Sequence, residues 1–260
     1  MKFMRIIAQG TNHAFFNMAL DEAISEAVRQ KLSPPTLRLY GWDRPSLSIG
    51  YFQKVSDINI GYCDSKGYPV VRRQTGGRAV LHDSELTYSI SSSGSSLFNG
   101  SLLENYTIIS NAVISGLKLN GIDAKISFKK KSHTGHKNPA CFKAVSYGEI
   151  TVEGRKIVGS AQKRYKNGFL QHGSILLSFN AGELCNALGS SDAENFKNIG
   201  AVNDYAPEIS FNDLGRSLKE SFEKTLNIKM IPDDPTEFER NLAKELELGK
   251  YSTEEWNFRR

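Results

Sequence analysis

Three side chains carry candidate chemistry: Cys141, Lys156 and His172. Cys141 lies in the run NPACF, with Lys137 and Lys143 on either side. Positive neighbours lower a thiol pKa and raise the fraction of thiolate, the nucleophilic form. The competing reading is a small buried core residue. Lys156 enters an apolar run within EGRKIVGSAQ. There it either points into a cleft, donating to a carbonyl oxygen or developing oxyanion, or stands at a strand edge in solvent. His172, in QHGS, orients a group or acts as a base, unless it is a satisfied sheet histidine. The stretch RRQTGGRAVLHD, residues 72–83, is the natural partner for these groups. Gly76 and Gly77 lack a Cβ, so backbone N–H groups there can closely approach a bound group. Arg72, Arg73 and Arg78 favour an anion or a polar acyl-carrier group, and His82 closes the stretch. A glycine turn with solvated arginines would use the same residues.

Other patterns are weaker. Gly154-x4-Gly159-Ser160 has the spacing of a phosphate loop but lacks the lysine that reaches the phosphates. His133 and His136 lie in KKKSHTGHKN, residues 129–138, which reads as a solvated basic loop, or as a lid or docking patch for an acidic partner. Cys63, Cys141 and Cys185 are too widely spaced for a zinc pattern or a disulfide framework, so a reducing cytoplasm is expected. Cys63 and Cys185 read as core or surface residues of helices.

The elements that must position these groups alternate between the two periods. Residues 3–8 read as a strand, and from Asn12 apolar residues recur at helical spacing until Pro34–Pro35. Residues 37–40 and 47–51 read as strands flanking a turn, and 57–67 as a short helix closing at a glycine. Val70 and Val71 begin the strand that enters the arginine–glycine stretch, and 86–91 is expected to pair as the next strand. A Ser/Gly-rich loop, 91–101, precedes a helix carrying Ile108, Ile109, Ala112, Val113 and Leu117. Residues 147–152 and 156–161 read as a hairpin about Glu153-Gly154, followed by a long strand, 169–179. Ser210-x-x-Asp213 and Thr236-x-x-Glu239 are capping boxes that open two amphipathic helices, the second leading a C-terminal helical segment at about 235–260. Hairpin-linked strands with helices in separate blocks predict an α+β fold with mixed or antiparallel sheets packed against helices. The 260 residues contain no clear linker and are expected to form one domain.

Composition excludes several classes. With 39% hydrophobic and 23% charged residues, a net charge of +5 and a pI near 9.0, the chain reads as an ordinary globular protein with acidic partners. The charge is too modest for a nucleic-acid binder, and neither a signal peptide nor a membrane-spanning run is visible.

Taken together, RRQTGGRAVLHD, EGRKIVGSAQKR and LQHGSILL resemble the biotin/lipoate protein ligase and lipoyl-transferase superfamily. NMALDEA, TLRLYGWDRPSLSIGYFQ and KYSTEEWNFR are similar too, so the resemblance spans nearly the whole chain. It implies the ligase catalytic-domain fold and one of two chemistries. Lipoate–protein ligases activate lipoate with ATP, whereas octanoyltransferases move an octanoyl chain from acyl carrier protein through a cysteine thioester, without ATP or another cofactor. Ligases typically show three consecutive glycines where this chain reads GGRAVLHD. PACFKAVSYGEITVEGRKIVGSAQKR resembles the octanoyltransferase branch of ligase-like ancestry. On that resemblance Cys141 is the acyl-thioester nucleophile and Lys156 the lysine that contacts the acyl carbonyl. Arg73, Gly76, Gly77 and His82 wall the acyl pocket, with Gly159, Ser160 and His172 on adjoining strands. The implied partners are acyl carrier protein as donor and, as acceptor, glycine-cleavage H protein or lipoyl domains of 2-oxoacid dehydrogenases. The implied state is a cytoplasmic monomer, and an ATP-dependent lipoate–protein ligase is the alternative.

Overall fold

The computed structural model describes residues 2–94, 97–127, 149–190 and 192–260. Cys141 and the basic run 129–138 lie outside the described residues. In chain order the elements are β1 (Phe3–Asn12), α1 (Ala14–Arg29), β2 (Thr36–Trp42), β3 (Ser46–Ile49), α2 (Ile60–Ser65), β4 (Val70–Arg72), β5 (Val80–His82) and β6 (Glu85–Ser92). Then follow α3 (Leu102–Leu119), β7 (Lys125–Ser127), β8 (Glu149–Val152), β9 (Arg155–Tyr165), β10 (Gly168–Leu176), α4 (Ala181–Ala187), α5 (Phe211–Leu226), β11 (Lys229–Pro232), α6 (Glu237–Leu246) and α7 (Glu254–Asn257).

The described strands form an eight-stranded sheet in the order β11-β1-β2-β6-β10-β9-β8-β7 and a three-stranded sheet, β4-β3-β5. Pairing is mixed: β1 runs parallel to β2 and β11, while β2, β6, β10 and β9 are joined antiparallel. This is the α+β arrangement that the hairpin-linked strands predict. The helices cover both faces of the large sheet. Leu37, Leu39, Tyr88, Ile90 and Ile175 form one core with Ile109, Val113, Leu214 and Leu218 from α3 and α5. On the other side Ile7 packs with Leu20, Ile24 and Val28 of α1 and Ala243 of α6. The two expected capping boxes form at Ser210–Asp213 and Thr236–Glu239, and a third, Ser101–Glu104, opens α3.

Residues 37–40 and 47–51 are strands flanking a turn, as expected, with β2 in the large sheet between β1 and β6 and β3 in the small sheet between β4 and β5. Three other sequence expectations are corrected. Residues 86–91 belong to β6, which pairs with β2 and β10 and not with the preceding β5. Every residue of β2, β3 and β6 is buried. Strands covered on both faces lose the alternation that would have told their sheets apart. The helix expected at 57–67 is confined to Ile60–Ser65 and closes at Gly67, whose φ of +65° is a left-handed value. The strand expected at 169–179 ends at Leu176.

Candidate active site

The RRQTGGR stretch leaves β4 and crosses back over the end of β3. Arg72 is wholly buried. Its Nη1 donates to the carbonyls of Gly50 (2.9 Å) and Gln53 (2.7 Å), and its Nε to Asn257 O (3.0 Å), so it fastens the stretch to α7. Burial, with Arg259 and Arg260 nearby, lowers its pKa to about 10, which leaves it charged at neutral pH. Arg73 turns the other way. Its Nη1 donates to Ser48 O (2.9 Å) and Oγ (2.7 Å), and its Nη2 to the carbonyls of Gly76 (3.2 Å) and Arg78 (2.9 Å). The solvated-arginine reading therefore fails for both. A Cβ on Gly50 would lie 2.0 Å from Gly77 O, and Gly77 has φ +97°, so the crossing depends on glycine at both positions.

Two histidine relays hold this crossing. Ser48 Oγ lies 2.6 Å from His82 Nε2, and His82 Nδ1 lies 2.8 Å from Glu85 Oε1. A carboxylate only accepts, so Nδ1 carries the proton and Nε2 accepts from the serine hydroxyl. Trp42 stacks on the ring at 3.9 Å, and its Nε1–H donates to Thr87 Oγ1 (2.9 Å), which in turn donates to Glu85 (2.5 Å). The order of hydroxyl, imidazole and carboxylate matches a hydrolase triad, but Ser48 is wholly buried and its oxygen accepts from Arg73. The relay is a strut.

In the second relay, Thr75 Oγ1 lies 2.7 Å from His172 Nε2, and His172 Nδ1 lies 3.4 Å from Asp21 Oδ2. Asp21 also accepts from Arg38 Nη1 (2.8 Å) and the Tyr40 hydroxyl (2.9 Å). Burial alone would raise the Asp21 carboxyl, but the hydrogen bond from His172 and the Arg38 guanidinium outweigh it and hold it below the usual carboxylate range. Burial lowers the His172 pKa against the pull of Asp21, and Arg73 and His82 push it lower still. The ring is therefore neutral at pH 7, with Nδ1–H toward Asp21 and Nε2 accepting from Thr75. Both ring nitrogens are engaged, so His172 orients the crossing and is not a free base.

Arg73, His82, Gly159, Ser160 and His172 line one cavity, together with Met18, Tyr40, Trp42, Val80, Ala161 and Ser174. The structure thus joins five of the residues singled out in the sequence. Gly76 and Gly77 lie in the crossing behind Arg73 and do not line it. The free volume is about 30 Å³, room for one or two waters. An acyl chain can enter only as side chains move, and Met18, with its unbranched thioether, is the wall residue most able to move.

Lys156 is wholly buried, so the solvent-edge reading fails. Its Nζ lies 2.5 Å from Glu149 Oε1, at the first residue of β8. A register shift between β8 and β9 sets Lys156, in place of Ile157, opposite Thr151 and hence on the face that carries Glu149. Lys156 lies on β9 three residues before Gly159 and does not line the cavity. Cys63 and Cys185 are buried in one apolar core around the small sheet. Burial, with Asp64 adding to it, pushes the Cys63 thiol up to about 11, so it is no nucleophile at neutral pH.

Sequence reasoning missed Asp21, Arg38, Ser48, Thr75 and Glu85. Asn17, Asp21 and Ser25, spaced one helical turn apart among the apolar residues of the inner face of α1, were the available signal. Among the described residues no cluster of His, Cys, Asp and Glu could hold a metal ion, and no helix is long and apolar enough to cross a membrane.

Comparison with known proteins follows the same lines. A family model described as the lipoyl protein ligase A/B catalytic domain matches residues 13–223. The chain is 40% identical over 278 residues to Octanoyltransferase LipM of Halalkalibacterium halodurans, covering all of both chains. It is 39% identical over 272 residues to Octanoyltransferase LipM of Bacillus subtilis, covering 98% of each. Among solved structures it is similar to lipoate-protein ligase A bound with ATP, with TM-score 0.84, 27% identity and 99% and 98% coverage. A bi-partite lipoate protein ligase from Thermoplasma acidophilum is equally similar, with TM-score 0.84, 27% identity and 99% and 97% coverage.

Proposed function

The chain belongs to the lipoyl protein ligase A/B catalytic-domain family, and from that premise we propose that it is a protein N-octanoyltransferase of lipoate assembly. In this reading it takes an octanoyl group from octanoyl-acyl carrier protein, holds it as a thioester on Cys141, and passes it to a lysine of a lipoyl-accepting protein. The observation that carries it is identity of about 40% along the full length to proteins named Octanoyltransferase LipM. A cavity with Met18, Tyr40, Trp42 and Val80 in its wall, and a sequence with Cys141 between Lys137 and Lys143, support it.

In the first half-reaction the Cys141 thiolate attacks the donor's thioester carbonyl. A new C–S bond forms, the old one breaks, and the carrier's thiol leaves. One thioester replaces another at similar energy, so no nucleotide is required. In the second, the acceptor's lysine amine attacks, the C–S bond to Cys141 breaks, and a more stable amide forms. Each step passes through an oxyanion, and Lys156 is the donor for it. The pairing of Lys156 with Glu149 holds the ammonium at a fixed place on β9. Arg73, held by the crossing, forms with His82 and His172 a fixed part of the wall against which the acyl chain lies. The acceptors are glycine-cleavage H protein or lipoyl domains of 2-oxoacid dehydrogenases, and the enzyme works as a cytoplasmic monomer.

Similarity to a lipoate-protein ligase bound with ATP keeps a second reading in view, formation of lipoyl-AMP. Intact-mass spectrometry after mixing wild type or Cys141→Ala with octanoyl-acyl carrier protein, without ATP, separates the two. An octanoyl adduct on wild type alone is expected. No adduct, with modification of an acceptor domain only when ATP and free lipoate are supplied, would make the protein a ligase.

A further inference from the structure

Beyond the acyl cavity, β9 runs on to a second, polar recess. β8 pairs with β9 only as far as Val158, so from Gly159 onward β10 is the only described strand beside it. Gly159, Ser160 and Ala161 line the acyl cavity. Gln162, Arg164 and Lys166, the next residues along the strand and its turn, line a cleft of about 230 Å³ against the start of α3. One strand therefore runs along both spaces.

The cleft has unmet hydrogen-bonding demand. Asn105, in the second turn of α3, is 5% exposed, and its Oδ1 has no partner while its Nδ2 donates to Gly100 O. Gln162 donates through Nε2 to Gln171 (3.2 Å), and its buried Oε1 also has no partner. Two acceptors without donors call for N–H groups from a ligand, because a buried acceptor left unmet costs free energy. At the rim, the exposed Arg164 and Lys166 supply positive charge, as does the first turn of α3. Glu104 offsets the last, but its carboxylate is engaged with the Ser101 N–H (2.6 Å). The ligand that fits carries amide N–H groups along its length and an anion at one end. At about 3.3 Å per residue, Ser160 and Arg164 are roughly 13 Å apart along the strand.

We propose that this cleft receives the phosphopantetheine arm of the thioester donor. The amide nearer the thioester donates to Gln162 Oε1, the farther amide to Asn105 Oδ1, and the phosphate meets Arg164 and Lys166. The inference rests on the thioester-donor reading and deepens it. It gives the octanoyl chain and its carrier arm separate compartments on successive stretches of β9.

The test compares octanoyl-phosphopantetheine, octanoyl-pantetheine and octanoyl-N-acetylcysteamine as donors, following acylation of the protein by intact mass. Arg164→Gln/Lys166→Gln lies on the exposed rim and leaves the core intact; Asn105→Leu removes the inner acceptor. On wild type, kcat/KM falls about tenfold when the phosphate is lost and again when the farther amide is lost. The rim variant brings the phosphopantetheine donor down to the pantetheine level and leaves the other two unchanged. Asn105→Leu removes the preference for pantetheine over N-acetylcysteamine. Acyl carrier protein and coenzyme A both present this arm, so the rim variant slows both octanoyl donors, and wild-type kcat/KM identifies the source. The inference is overturned if wild type treats the three small donors alike, or if the rim variant slows all three in proportion. No acylation of wild type by any donor would remove the thioester reading itself, and the inference with it.

Discussion

Asp21→Asn is the substitution with the most to say about this site. Asp21 and Arg38 are 2% and 1% exposed, and the carboxylate accepts from Arg38, Tyr40 and His172. An asparagine offers one acceptor oxygen and brings two N–H donors into a place that already holds three. The guanidinium is left buried with its counter-charge removed, a loss worth about 3–5 kcal/mol. Against a total stability of about 5–15 kcal/mol that is a large fraction. Urea unfolding at pH 7.5 should show the midpoint falling with the slope unchanged. A cycle with Arg38→Met should give a coupling of about 1.5 kcal/mol or more, because the cost arises from the pair. The same change frees His172 from its fixed tautomer and so loosens Thr75. Acyl capture should slow on the order of tenfold to a hundredfold in the protein that remains folded. A loss below about 1 kcal/mol, or full stability loss with acyl capture unchanged, would refute the argument that Asp21 braces the crossing through His172.

Further expectations follow from the same geometry. The folded pKa of His172 lies below the ordinary 6.5, so as pH falls below that value the unfolded chain takes up a proton first and stability declines. Asp21, held below 3.8, adds a second loss as pH falls through its folded value, and thermal melts from pH 8 to 5 on His172→Gln should lack the upper decline. Gly50→Ala drives a Cβ into Gly77 O and should displace the crossing, abolishing acyl capture while far-UV circular dichroism stays native. Lys156→Met should slow both half-reactions by about 10²–10³ in single-turnover assays, the usual cost of losing one oxyanion donor. Met18→Ala should enlarge the cavity and raise activity on donors longer than octanoyl, read as relative kcat/KM across a chain-length series.

Local signals in the sequence fared well wherever one residue's neighbours in the chain decide its structure. The boxes at Ser210 and Thr236 satisfy their own helix ends, and the apolar periods of α1, α3 and α5 place those helices on the sheet whatever its strand order. The sheet order itself was illegible because β2, β3 and β6 are buried throughout and carry no outward polar beat. The site divides in the same way. Arg73, His82 and His172 could be singled out by type and spacing, but their roles are set by residues far off in the chain: Asp21 lies 151 positions from His172, and Thr75 97 positions. No pattern in QHGS tells a base from a brace. What decides it is that a carboxylate claims Nδ1 and a hydroxyl claims Nε2, leaving the ring no lone pair for a substrate. The fold therefore uses His82 and His172 to hold glycine-rich backbone in place.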